Sequence, residues 1–201
     1  HAQLTESVAK RQNGNRRTHF MNYSSLNDFL RRGKAVLAKG PVALIFVEDE
    51  VELGTTLRHY LQCGFRAVVA LMPPAFNLPG DLSDRVHRVG FDCSVPQAVF
   101  DAVNQAIEAA PGVWFYYGYN AEYLFYPFCE TRSVGEMLAF HTEERRDAML
   151  TYVIDIYAGD LDAHPSAVSI EDACLDKSGY YAQGRSDPET GHPRDRQLDF
   201  F

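Results

Sequence analysis

The chain has 201 residues, of which 46% are apolar, 12% aromatic and 23% charged. This is enough apolar mass for a packed core, and it excludes collagen, coiled coil and wholesale disorder. A net charge of −8 argues against indiscriminate binding to nucleic acid or an anionic membrane, and no stretch approaches the ~20 consecutive apolar residues of a transmembrane segment.

Residues 1–20 carry Lys10, Arg11, Arg16 and Arg17 against Glu6, and the chain opens on His1 with its first methionine at Met21. The stretch reads as a tag remnant, a processed end or a flexible upstream linker, and it lacks the apolar centre of a signal peptide. Residues 24–39 follow as an amphipathic helix capped by Ser24 or Ser25, interrupted at Gly33 and ended by Gly40. Pro41 opens a strand over 42–47 that is apolar on both faces, as in a parallel strand covered by helices on each side. Glu48, Asp49 and Glu50 stand at its carboxyl end. A helix is expected over 51–63, ended by Gly64, then a strand over 67–71 and a Pro/Gly-rich loop over 72–80.

A short third strand is expected over 86–91. Ser94-Val95-Pro96-Gln97 reads as a capping box opening the next helix, which Pro111-Gly112 stops. A fourth strand spans 113–119. Ser133-Val134-Gly135-Glu136 is a second capping box, and a fifth strand is expected over 150–157. This alternation predicts an α/β fold: a layered, mostly parallel sheet flanked by helices, with the Rossmann-like logic of a nucleotide-binding half. The expected division is a flexible or tag segment 1–20, an α/β domain 21–157 and a loop-rich part 158–201. The last part holds nine acids against four bases, and its closing Leu198-Asp199-Phe200-Phe201 suggests a truncated element. Cys63, Cys93, Cys129 and Cys174 form no CxxC pair, so they read as small buried hydrophobes in a reducing, cytoplasmic setting.

Ligands of open α/β sheets bind outside the carboxyl ends of the strands. The residues there are Glu48, Asp49 and Glu50 after the first strand, and Asn120 and Glu122 after the fourth. Asp160, Asp162 and His164 follow the fifth. Oxygen-rich strand ends suit a hard divalent cation, which in turn attracts phosphate. Spaced two apart, Asn120 and Glu122 would share one side of an extended chain. The plainer readings are a turn residue and a surface acid for this pair, dipole-complementing acids at a helix start for 48–50, and an acidic surface loop for 160–164. His59 reads as a packing histidine. Tyr117, Tyr119 and Tyr123 are candidates to stack on a base or sugar, within an aromatic cluster that is otherwise core.

The run Asn120-Ala121-Glu122-Tyr123-Leu124, at the end of a hydrophobic strand, resembles the D-x-D motif of family 2-like glycosyltransferases with the GT-A fold. The stretch 47–53, followed by Leu57-Arg58-His59-Tyr60-Leu61-Gln62-Cys63-Gly64-Phe65, is similar to that branch's first strand and helix. The resemblance covers about 41–157. It implies a GT-A-like fold and sugar transfer from a nucleoside diphosphate donor to an acceptor that the residues do not name. It further implies Mn2+ or Mg2+ at the diphosphate, Glu48, Asp49 and Glu50 on the nucleotide side, and Asn120 and Glu122 as the metal pair. No catalytic base is marked by the sequence. The chain departs from the family in having Asn120 for the first aspartate, and in having Leu71-Met72-Pro73-Pro74 where an Asp-rich turn is usual. Two rivals follow: a catalytically inactive binding module of the same fold, and a metal-dependent phosphohydrolase built on Asp49, Asp160, Asp162 and His164.

Overall fold

The computed structural model describes residues 21–151, 153–175, 187 and 189–192. They belong to two compact units that divide after Arg145. The first contains a five-stranded sheet in the order β1-β4-β3-β2-β5, with every pairing parallel. Its strands are β1 (Asn22–Tyr23), β2 (Val42–Phe46), β3 (Ala67–Met72), β4 (His87–Gly90) and β5 (Phe115–Tyr119). Its helices are α1 (Leu26–Arg32), α2 (Lys34–Leu37), α3 (Leu53–Gln62), α4 (Ala98–Ala109) and α5 (Val134–Glu143). The α/β layered sheet expected from the sequence is therefore observed.

The two faces of the sheet are read directly from the pleat. In β2, Ala43 and Ile45 face one core, and Val42, Leu44 and Phe46 face the other. In β3, Val68, Ala70 and Met72 join the first core, and Ala67, Val69 and Leu71 the second. Every residue of both strands is buried, which explains an apolar run without alternation. The first core is closed by Leu53, Leu57 and Tyr60 of α3 and by Val134 and Leu138 of α5. The second is closed by Phe29 of α1, Val36 and Leu37 of α2, and Val99, Ala102 and Ala106 of α4.

The helix boundaries have local causes. Ser25 Oγ accepts from the Asp28 N–H at the start of α1, and Gly33 separates α1 from α2. At Ser133 the capping box is complete: its hydroxyl accepts from the Glu136 N–H, and the Glu136 carboxylate accepts from the Ser133 N–H.

The box expected at Ser94 does not form. Asp92 Oδ1 accepts from both the N–H and the hydroxyl of Ser94, so a local Asx turn takes the serine. The helix begins four residues later, at Ala98, behind a left-handed Gln97 (φ 65°). β1 went unrecognised because a two-residue strand carries no period, yet it completes the edge of the sheet beside β4. The expected fifth strand over 150–157 is not part of this sheet. Its described residues 153–155 have no regular structure, Leu150 and Val153 are exposed, and only β6 (Ile156–Ala158) is a strand. β6 pairs antiparallel with β7 (Ala173–Leu175) inside the second unit. A β-branched run signals a strand, but it does not choose the strand's partner. Residues 1–20 and 198–201 lie outside the described residues.

Candidate functional site at the reversal of strand order

In the first unit β3 lies on one side of β2 and β5 on the other, so the order of winding reverses between β2 and β5. The carboxyl ends of these two strands release the loops 47–52 and 120–125 side by side. The helix expected from 51 begins at Leu53, so Glu48, Asp49 and Glu50 lie in a bend ahead of it and not in its first turn. All three side chains are exposed at the rim.

Asn120 ties the two loops together. Its Oδ1 accepts from the Glu48 N–H (2.9 Å), and its Nδ2 donates to Asp49 Oδ1 (2.6 Å) and to the Val51 carbonyl (3.1 Å). Its N–H donates to the Phe46 carbonyl (3.1 Å), extending the β2–β5 ladder by one residue. Asp49 Oδ1 also accepts from the Val51 N–H (2.8 Å). An amide fits this position because it accepts and donates at once. An aspartate could not donate, and it would set a second carboxylate against Asp49. The amide at position 120 thus has a local physical reason.

Glu122 serves a different end. Its Oε2 accepts from the Tyr119 N–H (2.9 Å), closing a turn on the last residue of β5. Ala121 between them has φ 60°, so the chain is not extended here, and the alternation argument that placed both side chains on one side fails. Asn120 grips the 48–51 loop while Glu122 caps its own strand, so each has a side-chain oxygen already engaged within the chain.

The backbone around the rim is unusual. Glu52 (φ 51°) and Ala121 (φ 60°) are both left-handed non-glycine residues. They are linked through Thr56, whose Oγ1 donates to the Glu52 carbonyl (2.7 Å) and accepts from the Ala121 N–H (3.0 Å). Such conformations cost of order 1–3 kcal/mol each and cluster at ligand sites. Tyr60 adds a second brace, its hydroxyl reaching Tyr116 Oη (2.9 Å) and the Glu122 carbonyl (3.2 Å). Thr56 and Tyr60 were not singled out as site residues. Their signal is a polar atom on the inner face of α3, where Leu53, Thr56, Leu57 and Tyr60 are all buried.

His59 is the packing histidine its position suggested. Nε2 lies 3.0 Å from the Leu124 carbonyl, the ring stands edge-on to Tyr123, and burial pushes its pKa down. Tyr123 Oη meets Thr55 Oγ1 at 2.8 Å, and Tyr119 packs on Phe46, while Tyr117 is exposed on β5. Burial, with Glu48 as the next cause, raises the Tyr119 phenol. Beneath the rim, Cys93 reaches the Val47 carbonyl, and burial followed by the nearby Glu48 charge pushes its thiol up to about 11.

In the second unit Asp160 Oδ1 accepts from the Asp162 and Ala163 N–H groups, and His164 Nε2 lies 3.9 Å from Asp172 Oδ2. Asp160 therefore organises a turn, and His164 faces a different carboxylate. Among the described residues no group of three or more His, Cys, Asp or Glu side chains is placed to hold a metal ion. None of the described helices is long and apolar enough to cross a membrane.

Cavities of about 270 and 410 Å3 occur elsewhere in the first unit, the smaller at the amino-terminal end of β2 beside Pro41 and Trp114. The rim residues line neither of these two. Compared with protein-family models, curated proteins and solved structures, the chain gives no match.

Proposed function

We propose that the first unit is a GT-A-type, family 2-like glycosyltransferase domain that takes a nucleoside diphosphate sugar at the ledge between β2 and β5. The observation that carries this reading is the reversal of strand order there, with carboxylates and an amide on the two adjoining loops. A parallel α/β sheet binds its ligands at such a point. The motif resemblance falls on the same two loops.

The chemistry of the side chains divides the ligand. Carboxylates accept hydrogen bonds from ribose hydroxyls and base N–H groups, which assigns Glu48, Asp49 and Glu50 to the nucleoside. They repel a diphosphate, so a cation must accompany it. Mn2+ or Mg2+ would be held by a carboxylate oxygen not already bonded within the chain, Asp49 Oδ2 or Glu122 Oε1, because the Asn120 oxygen, Asp49 Oδ1 and Glu122 Oε2 each accept from an N–H. Bound with the diphosphate, such a cation neutralises charge gathering on the leaving group. Asn120 keeps the Asp49 carboxylate oriented, and the left-handed turns at Glu52 and Ala121 fix the two loops before any ligand arrives. A phosphohydrolase built on Asp49 with Asp160, Asp162 and His164 has less support, since the latter three do not converge within their own unit.

The test is calorimetric titration of the chain with UDP and other nucleoside diphosphates, in Mn2+ or Mg2+ and again in chelator. Saturable, metal-linked binding that Asp49→Ala removes supports the reading. Silence across all nucleotides overturns it. Binding without release of UDP from UDP-sugars, over a panel of acceptors, converts the enzyme into the inactive binding module.

A further inference from the structure

We propose that the cavity beside Arg88 is a second binding site, for a small oxyanion of the phosphate or carboxylate class. Arg88 lies on β4, in register with Ala70 of β3 and Asn22 of β1. His87 and Val89 are buried toward the core containing Tyr23 and Phe29, so alternation directs Arg88 to the opposite face of the sheet. There its Nη2 donates to three backbone carbonyls, those of Pro73 (3.4 Å), Pro74 (3.0 Å) and Phe76 (3.1 Å). These contacts fix the guanidinium and shape the loop after β3.

Carbonyls are neutral, so the charge of Arg88 is oriented without being neutralised. Among the described residues no ion pair includes Arg88, and Asp81 is already taken by Arg58 (2.9 Å). All three bonds leave from Nη2, so the N–H groups of Nε and Nη1 have no protein acceptor among the described residues. Arg88 borders the cavity of about 410 Å3, together with Asn22, Asn77 and Ser83. No hydrogen bond among the described residues engages the side chains of Asn22 or Asn77, so both amides are free to turn toward a guest. A partly buried guanidinium lacking a counter-ion among the described residues, beside a hollow with amide donors, selects an oxyanion. Nε–H and the Nη1 N–H groups remain to donate to such a guest, and charge-assisted bonds of this kind are the strong ones. With β3 between β4 and β2, this hollow is separate from the ledge at β2 and β5.

The experiment titrates the whole chain with inorganic phosphate, and separately with acetate. Saturable one-to-one binding of either is expected, and which of them binds identifies the class. Arg88→Gln should weaken it about tenfold or more. Asn77→Asp, which adds a repelling charge where no internal bond is lost, should do the same with an unchanged melting temperature. Asp49→Ala should leave phosphate binding as it was, which separates this site from the nucleotide ledge. Saturation by neither anion overturns the proposal, as does unaltered affinity in Asn77→Asp. If Arg88→Gln does not fold, Asn77→Asp alone decides.

Discussion

Replacing Asn120 by aspartate tests the clamp that joins the two rim loops. The substitution is nearly isosteric and keeps the oxygen that accepts from the Glu48 N–H. It deletes both donor bonds, to Asp49 Oδ1 at 2.6 Å and to the Val51 carbonyl at 3.1 Å. Each is worth about 1 kcal/mol. It also sets two carboxylates roughly 3 Å apart, and their repulsion in water is about 1.4 kcal/mol. Asn120→Asp should therefore lower stability by about 3 kcal/mol in chelator, read from urea unfolding at neutral pH. The loss should shrink as pH falls into the carboxylate range, because protonating one acid of the pair removes the repulsion and restores a donor. Millimolar Mn2+ should also recover part of it, since the cation binds the folded pair preferentially. The double variant Asp49→Asn/Asn120→Asp removes the repulsion and reverses the bond, but the bond to the Val51 carbonyl stays lost and the Val51 N–H loses its acceptor, so it should regain only part of the loss. If Asn120→Asp is within about 0.5 kcal/mol of the parent chain, Asn120 is not holding the ledge, and the account of why the motif carries an amide is wrong.

Three further outcomes follow from the same contacts. A Cβ at Gly118 would lie 2.7 Å from Tyr116 Oη and 2.8 Å from Glu122 Oε2, so Gly118→Ala should cost about 1–3 kcal/mol in urea unfolding and break the cap on Tyr119; a neutral effect would refute that packing. The Arg32 guanidinium holds the Asp28 carboxyl down to about 2, below its ordinary 3.8. A depressed carboxyl stabilises the fold above its unfolded value, and that contribution disappears as pH falls through the folded one. Asp28→Asn should flatten the loss of stability between about pH 4 and pH 2, and an unchanged acid limb would contradict the ion pair. Finally, burial pushes the Cys63 and Cys93 thiols up to about 11, whereas Cys174 is exposed. A thiol reagent at pH 8 should label Cys174 fast, the half-buried Cys93 more slowly and Cys63 only as the chain unfolds, and equal rates for Cys63 and Cys174 in the native state would contradict the burial of Cys63.

The apolar runs 42–47 and 67–71 and the capping box at Ser133 were legible in the sequence, because each is dictated within a few residues. So was the break at Gly33. The box at Ser94 misled because Asp92, two residues earlier, offers the serine a tighter local partner. Burial on both faces made β2 and β3 unmistakable, while β1 was too short to carry a pattern, and the strand near 156 was legible as a strand but not as a member of another sheet. At the candidate site the residue types were legible and their geometry was not. Asn120 and Glu122 were expected to share one side of an extended ribbon, but a left-handed Ala121 turns the chain between them. That conformation is stabilised by Thr56, which lies 65 residues away in the chain.

The sequence by itself determined the class of fold, through the alternation of doubly apolar strands with amphipathic helices, and it placed acids and an amide at strand ends. Hydrophobic patterning reports which face of a segment seeks burial, and a cap reports where a helix starts; both are local. Only the tertiary structure decided that β5 pairs with β2, that the winding reverses there, and that Asn120 spans the gap to Asp49. It also decided that Arg88 meets three carbonyls and, among the described residues, no carboxylate. Hydrogen bonds and charges between residues far apart in the chain depend on which loops the packed sheet brings to one edge, and a linear pattern carries no record of that.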